Sequence, residues 1–228
     1  MSFADLLSAD ESELAEHYAS PAEHLADGWV HAVGIVLGAI GGGVLFTLAL
    51  ANGGLSIASS VALYALCIIL MLACSAVYNL TRPSPARRVL RRLDEAAIFL
   101  MIAGSYTPFV IKLLPDAQEP FAVSAVWAMA LAGAAGKVLR PELSDKFWCF
   151  VYLGYAWLSV LLVGPTAMSL PLISLVLLAV GGVIYSAGVA IYLNHAIPYR
   201  RAIWHGMVVV AAATHYAAVF TGVVLPPA

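Results

Sequence analysis

The run WVHAVGIVLGAIGGGVLFTLAL (residues 29–50), followed after a four-residue break by LSIASSVALYALCIILMLACSAVYNL (residues 55–80), decides the fold. Neither run contains Asp, Glu, Lys or Arg. A membrane-crossing helix needs roughly 20 apolar residues, within a range of about 17–25, so each run is long enough to cross once. Working outward, five further stretches qualify or nearly do, at 95–113, 121–139, 147–164, 169–193 and 203–225. The weakest separation is between the fifth and sixth, where Gly164-Pro165 and Pro171 stand. Proline lacks a backbone N–H and disfavours helix before it, which predicts a tight extracytoplasmic turn there.

Composition points the same way. The 228 residues are 62% apolar and 11% charged, against roughly 25% charged for a soluble domain, and the mean hydropathy is +0.92. The expected fold is an all-α integral membrane protein, a single seven-transmembrane helix bundle over residues 28–228. An acidic segment, 1–27, precedes it with seven carboxylates and no Lys or Arg, unlike the basic start of a signal peptide. Ten of the eleven basic residues fall in the loops after spans two, four and six, and only Lys112 lies on the other side. Basic loops stay cytoplasmic, so the N-terminus is expected in the cytoplasm and the C-terminus outside. The glycines of spans one and six are expected to let helices approach closely. Cys67 and Cys74 lie about 10 Å apart along one helix, too far for a disulfide, and with Cys149 are expected to pack in the bundle. No internal repeat suggests a transporter, and no nucleic-acid partner is implied; the expected partners are membrane lipids.

Polar side chains converge at the cytoplasmic level of this topology. His31 opens span one, Ser75, Tyr78 and Asn79 close span two, Asp94 and Glu95 open span three, and Trp204 and His205 open span seven. Ionisable groups at such depth are expensive and usually functional. Histidine and carboxylate at one depth can bind zinc or support acid–base chemistry; span ends can also simply anchor at the interface, and spacing alone leaves both readings open. His215, ten residues beyond His205, lies about 15 Å deeper and is expected to be satisfied by a neighbouring helix.

Three segments carry a resemblance: Leu93-Asp94-Glu95-Ala96-Ala97-Ile98, Ile102-Ala103-Gly104-Ser105-Tyr106-Thr107-Pro108-Phe109 and Ala202-Ile203-Trp204-His205-Gly206. They resemble the hemolysin III family, the bacterial branch of the progestin and adipoQ receptor (PAQR) group, related to alkaline ceramidases. Glu23 and His31 resemble that family's opening motif, and the likeness extends from about Glu23 to the C-terminus. It implies a multi-pass protein of the bacterial cytoplasmic membrane with a zinc site near the cytoplasmic face. One histidine would come from a Ser-x-x-x-His motif and two from a His-x-x-x-His motif, with an aspartate holding a zinc-bound water.

Carried over residue by residue, Ser75, Asp94 and His205 match. Asn79 and Arg201 stand where two zinc-ligand histidines are expected, and Glu95 stands where the bacterial pattern has histidine. Arginine stays protonated and offers no lone pair. Arg201 is therefore expected to pair with Asp94 or Glu95, its charge replacing the metal's. It could instead snorkel to the interface, or a rearranged metal site could recruit Glu95, His31 or Glu23. The resemblance then implies either a non-catalytic protein that responds to lipid or membrane state or affects permeability, haemolysin-like, or a zinc-dependent hydrolase of lipid amides or esters assisted by Asp94 and Ser75. A retinal Schiff base in span seven is excluded, because that span has no lysine, and a retinal- or ion-handling protein ranks last.

Overall fold

The computed structural model of the chain describes residues 17–140 and 142–225, without the side chains of 159–165. Residues 1–16 of the expected acidic segment lie outside the described residues. The described chain is helical, with no strand. The two apolar runs quoted above form one long helical element, α1 (Pro21–Leu80), broken at Gly54. There φ is 73° and ψ −170°, a conformation open essentially to glycine alone. The chain reverses at this point, and the two arms, 21–53 and 55–80, pack side by side. At Gly42 they approach so closely that a Cβ would stand 2.8 Å from that of Ala65, the close packing that small residues permit.

The remaining elements are α2 (Ala86–Leu113), α3 (Glu119–Leu139), α4 (Asp145–Ala167), α5 (Leu172–Leu193) and α6 (Arg200–Val219), which ends in a π-turn, Phe220–Val224. Five of the helices are long and apolar enough to cross a membrane: α1, α2, α3, α5 and α6 with its π-turn. Helix α4 runs through Gly164 and Pro165 to Ala167, and the turn follows at 168–170. The predicted break thus falls a few residues later than the proline suggested. Proline's fixed φ is compatible with helix, and membrane helices tolerate it where neighbours satisfy the freed carbonyl.

The bundle's outer surface is apolar, with Trp29, Leu55, Phe121, Phe150 and Leu172 all more than half exposed. Burial is concentrated where α1, α2 and α6 meet, around Val61, Tyr64, Ile68, Met101, Phe109 and Val208. The IAGSYTPF stretch is a packing hub in α2. Gly104 lies against Cys67, so that a Cβ would meet its sulfur at 2.9 Å. The Tyr106 hydroxyl donates to the Ala156 carbonyl of α4 at 2.6 Å, and the Thr107 hydroxyl accepts from the Trp127 indole of α3 at 3.1 Å. All three cysteines are free, as expected.

Candidate functional site

Helix α1 starts at a capping box. The Ser20 hydroxyl accepts from the Glu23 amide at 3.3 Å, and the Glu23 carboxylate accepts from the Ala19 and Tyr199 amides, each at 3.3 Å. Glu23, a candidate for recruitment into a rearranged metal site, instead holds the helix start and the loop before α6. A group that satisfies orphan amides at a helix N-terminus is not available one turn deeper.

Asp27 takes that deeper place. It lies four residues before His31 and therefore on the same helix face, and both are buried, at 0% and 1% exposure. Asp27 accepts from the Tyr18 hydroxyl at 2.5 Å on one oxygen and from His205 Nδ1 at 2.7 Å on the other. Its backbone carbonyl accepts from His31 Nδ1 at 2.9 Å. Sequence reasoning counted Asp27 in the acidic tail; the four-residue spacing to His31 was the signal that could have found it.

Both imidazoles then point their second nitrogens at one hydroxyl. Ser75 Oγ lies 3.1 Å from His31 Nε2 and 3.3 Å from His205 Nε2, and the Asn79 amide donates to it at 3.3 Å. Proton counting is informative here. A carboxylate and a carbonyl only accept, so both Nδ1 atoms carry hydrogen and both Nε2 atoms of neutral rings are lone pairs. Ser75 has one proton, for which the Asp94 carboxyl bonded to the same hydroxyl competes, so it can satisfy at most one of them. At least one Nε2 lone pair is left over, and a shared proton or a cation would fill it. Asp27, His31 and His205 bring ligand atoms within 4.8 Å of one another, a set that could hold a metal ion.

The two residues in place of histidines bond to each other: Arg201 Nη1 donates to Asn79 Oδ1 at 2.7 Å. Among the described residues Arg201 makes no direct ion pair with Asp94 or Glu95, although its charge bears on Asp94. Glu95 is already engaged, accepting from Arg91 Nε at 3.1 Å and Lys137 Nζ at 2.8 Å. Arg91 also reaches Asp145 of α4 at 2.7 Å. Glu95 thus ties α2 to α3 and, through Arg91, to α4. Asp94 is half-buried and faces a cavity of about 530 Å³ together with Ser75, Asn79, Arg201 and His205. The remainder of that cavity is largely apolar, walled by Met71, Met101, Phe109, Leu175 and Leu178. His215 lines it as well; one ring nitrogen bonds the Leu178 carbonyl, and Nε2 has no partner among the described residues. The expectation that a neighbouring helix satisfies it is met for one nitrogen only.

The comparisons with known proteins bear on this arrangement. Residues 21–216 match the sequence model of the family described as haemolysin-III related. The chain belongs to the haemolysin III family. It is 29% identical over 194 residues to the Hemolysin-3 homolog of Bacillus subtilis (strain 168), covering 85% of this chain and 91% of that protein. It is 27% identical over 185 residues to Hemolysin-3 of Bacillus cereus, covering 80% and 84%. The human monocyte to macrophage differentiation factor is 33% identical over 132 residues, covering 56% of this chain and 52% of that protein. That likeness agrees with placing haemolysin III proteins in the PAQR group.

The zinc set that the family resemblance implies, at positions 79, 201 and 205, does not fit the residues present. Only His205 is an imidazole there. Arg201 puts a permanent positive charge in place of a ligand, and the Asn79 carbonyl is occupied by that guanidinium.

Proposed function

We propose that this haemolysin III protein is a non-catalytic, lipid-responsive membrane protein. Its seven spans would lie in the bacterial cytoplasmic membrane with the N-terminus inside and the C-terminus outside, the domain beginning near residue 28. The arms of α1 flanking Gly54 account for two spans and α2 to α6 for five. The reading rests on the Arg201–Asn79 bond, which stands where the family's catalytic ion would need two imidazoles. The cavity suits an amphiphile, with a polar end at Ser75, Asp94 and Arg201 and an apolar remainder. Occupancy of that cavity would bear on how α2, α5 and α6 pack, which is how a change in membrane lipid reaches the cytoplasmic face or alters permeability.

A second reading, a zinc-dependent hydrolase of lipid amides or esters with Ser75 and Asp94 at its centre, is favoured by the Asp27–His31–His205 triad. One experiment separates the two. Purified protein in lipid micelles is incubated with ceramide and ester substrates, with and without a chelator. The first reading expects no turnover beyond that of an Asp94→Asn control; chelator-sensitive hydrolysis overturns it in favour of the second.

A further inference from the structure

The surplus lone pair at Ser75 goes beyond that functional reading, whichever way it falls. We propose that the chain carries a transition-metal site displaced from the family's positions onto α1, with His31 and His205 as its nitrogen ligands and Asp27 as the carboxylate that orients them.

Each imidazole is already set as a metal-binding histidine is set. Such a histidine presents one nitrogen to the ion and donates the other N–H to a carboxylate or a backbone carbonyl, which fixes ring and tautomer. His205 Nδ1 meets the Asp27 carboxylate at 2.7 Å, and His31 Nδ1 meets the Asp27 carbonyl at 2.9 Å. One residue thus orients both rings, whose centroids are 4.4 Å apart. Their Nε2 atoms converge on Ser75 Oγ, which has too few protons for both. An ion there takes up both lone pairs, with the Ser75 oxygen beside it as a further donor. The Asp27 carboxylate, buried behind the rings with the Tyr18 hydroxyl on its second oxygen, supplies compensating negative charge.

The donor set selects the cation. Calcium and magnesium take oxygen cages, so two imidazoles and a hydroxyl favour zinc, copper or nickel. Arg201 does not coordinate, because Asn79 holds its guanidinium. The ion would bridge the first arm of α1 to α6 across the second arm, joining elements that are distant in sequence.

The test uses the full chain in detergent, stripped with chelator and titrated with zinc, copper and nickel ions, with metal analysis after gel filtration. Parent protein is expected to retain one equivalent of at least one of these ions. His31→Gln, which leaves positions 79, 201 and 205 untouched, is expected to lose it. Asp27→Asn, nearly isosteric, is expected to weaken binding by about 10–100-fold, the usual effect of losing an orienting partner. The chelated variants' elution profile and thermal midpoint show whether they remain folded. The site is overturned if the parent retains none of the three ions, or if a folded His31→Gln binds as the parent does. Neither result depends on lipid hydrolysis, so the site and the proposed function fail separately.

Discussion

Removing Glu95 should strand a buried cation. Its carboxylate is 14% exposed and holds Lys137, which is 2% exposed, at 2.8 Å; it also holds Arg91, 30% exposed, at 3.1 Å. In Glu95→Ala the two cations fare differently. Arg91 keeps Asp145 at 2.7 Å and has access to water. Among the described residues Lys137 keeps only the face of Trp148, 5.2 Å from its ammonium. A cation–π contact contributes about 0.5–2 kcal/mol, whereas breaking a buried ion pair by deleting one partner typically costs about 3–5 kcal/mol. The expected loss is therefore about 2–4 kcal/mol, the low end applying if Lys137 bends toward water. The assay is reversible unfolding of the purified protein in mixed micelles, with Glu95→Ala, Lys137→Met and the double variant in one cycle. Most of the loss should be recovered in the double variant, since replacing both partners leaves no unpaired charge. A Glu95→Ala loss under about 1 kcal/mol, or no recovery on adding Lys137→Met, would refute the reasoning.

Three more expectations follow from particular contacts. Gly42→Val places a branched side chain where a Cβ alone would stand 2.8 Å from that of Ala65, so it should destabilise by about 1–3 kcal/mol through overpacking, read by the same unfolding assay. Burial, reinforced by the Arg201 and Arg87 guanidiniums, pulls His17 down from its usual 6.5 to about 3. Between those two values the unfolded chain takes a proton that the folded chain refuses, so stability falls as pH drops through that window; His17→Gln should flatten the decline, and an identical pH profile for parent and variant would contradict the assignment. A periplasmic reporter fused after residue 225 should be active and one fused before residue 17 silent; the reverse pattern would remove the seven-span, N-terminus-in reading.

The apolar spans were legible because membrane helices satisfy their backbone internally, and so their length and apolarity are written locally. The four-residue break between the first two runs belongs to the same category, whereas the packing role of the IAGSYTPF stretch showed only in the structure. The gathering of His31, Ser75 and His205 was also legible, because span order and orientation bring those ends to one level. What escaped was pairing. Which partner Glu95 takes depends on Lys137, forty-two positions on and one helix across, where no periodicity points to it. Arg201 faced two carboxylates on paper, but Asn79 stood closer in space. Glu23 and Asp27 are chemically alike and one turn apart, and only the position of the helix cap decides which reaches the imidazoles.

The break at Gly54 is also tied to the far end of the chain, since the Asn52 amide donates to the Val224 carbonyl at 3.3 Å. At the opposite end of the first arm Asp27 waits for His205, 178 residues later. Synthesis delivers the N-terminal part first, so the seam of α1 stays open until α6 arrives. A chain lacking α6 would leave one Asp27 carboxylate oxygen without its imidazole, while Tyr18 keeps the other and His31 keeps Ser75. Docking of α6 is thus what completes the buried Asp27 carboxylate's set of partners.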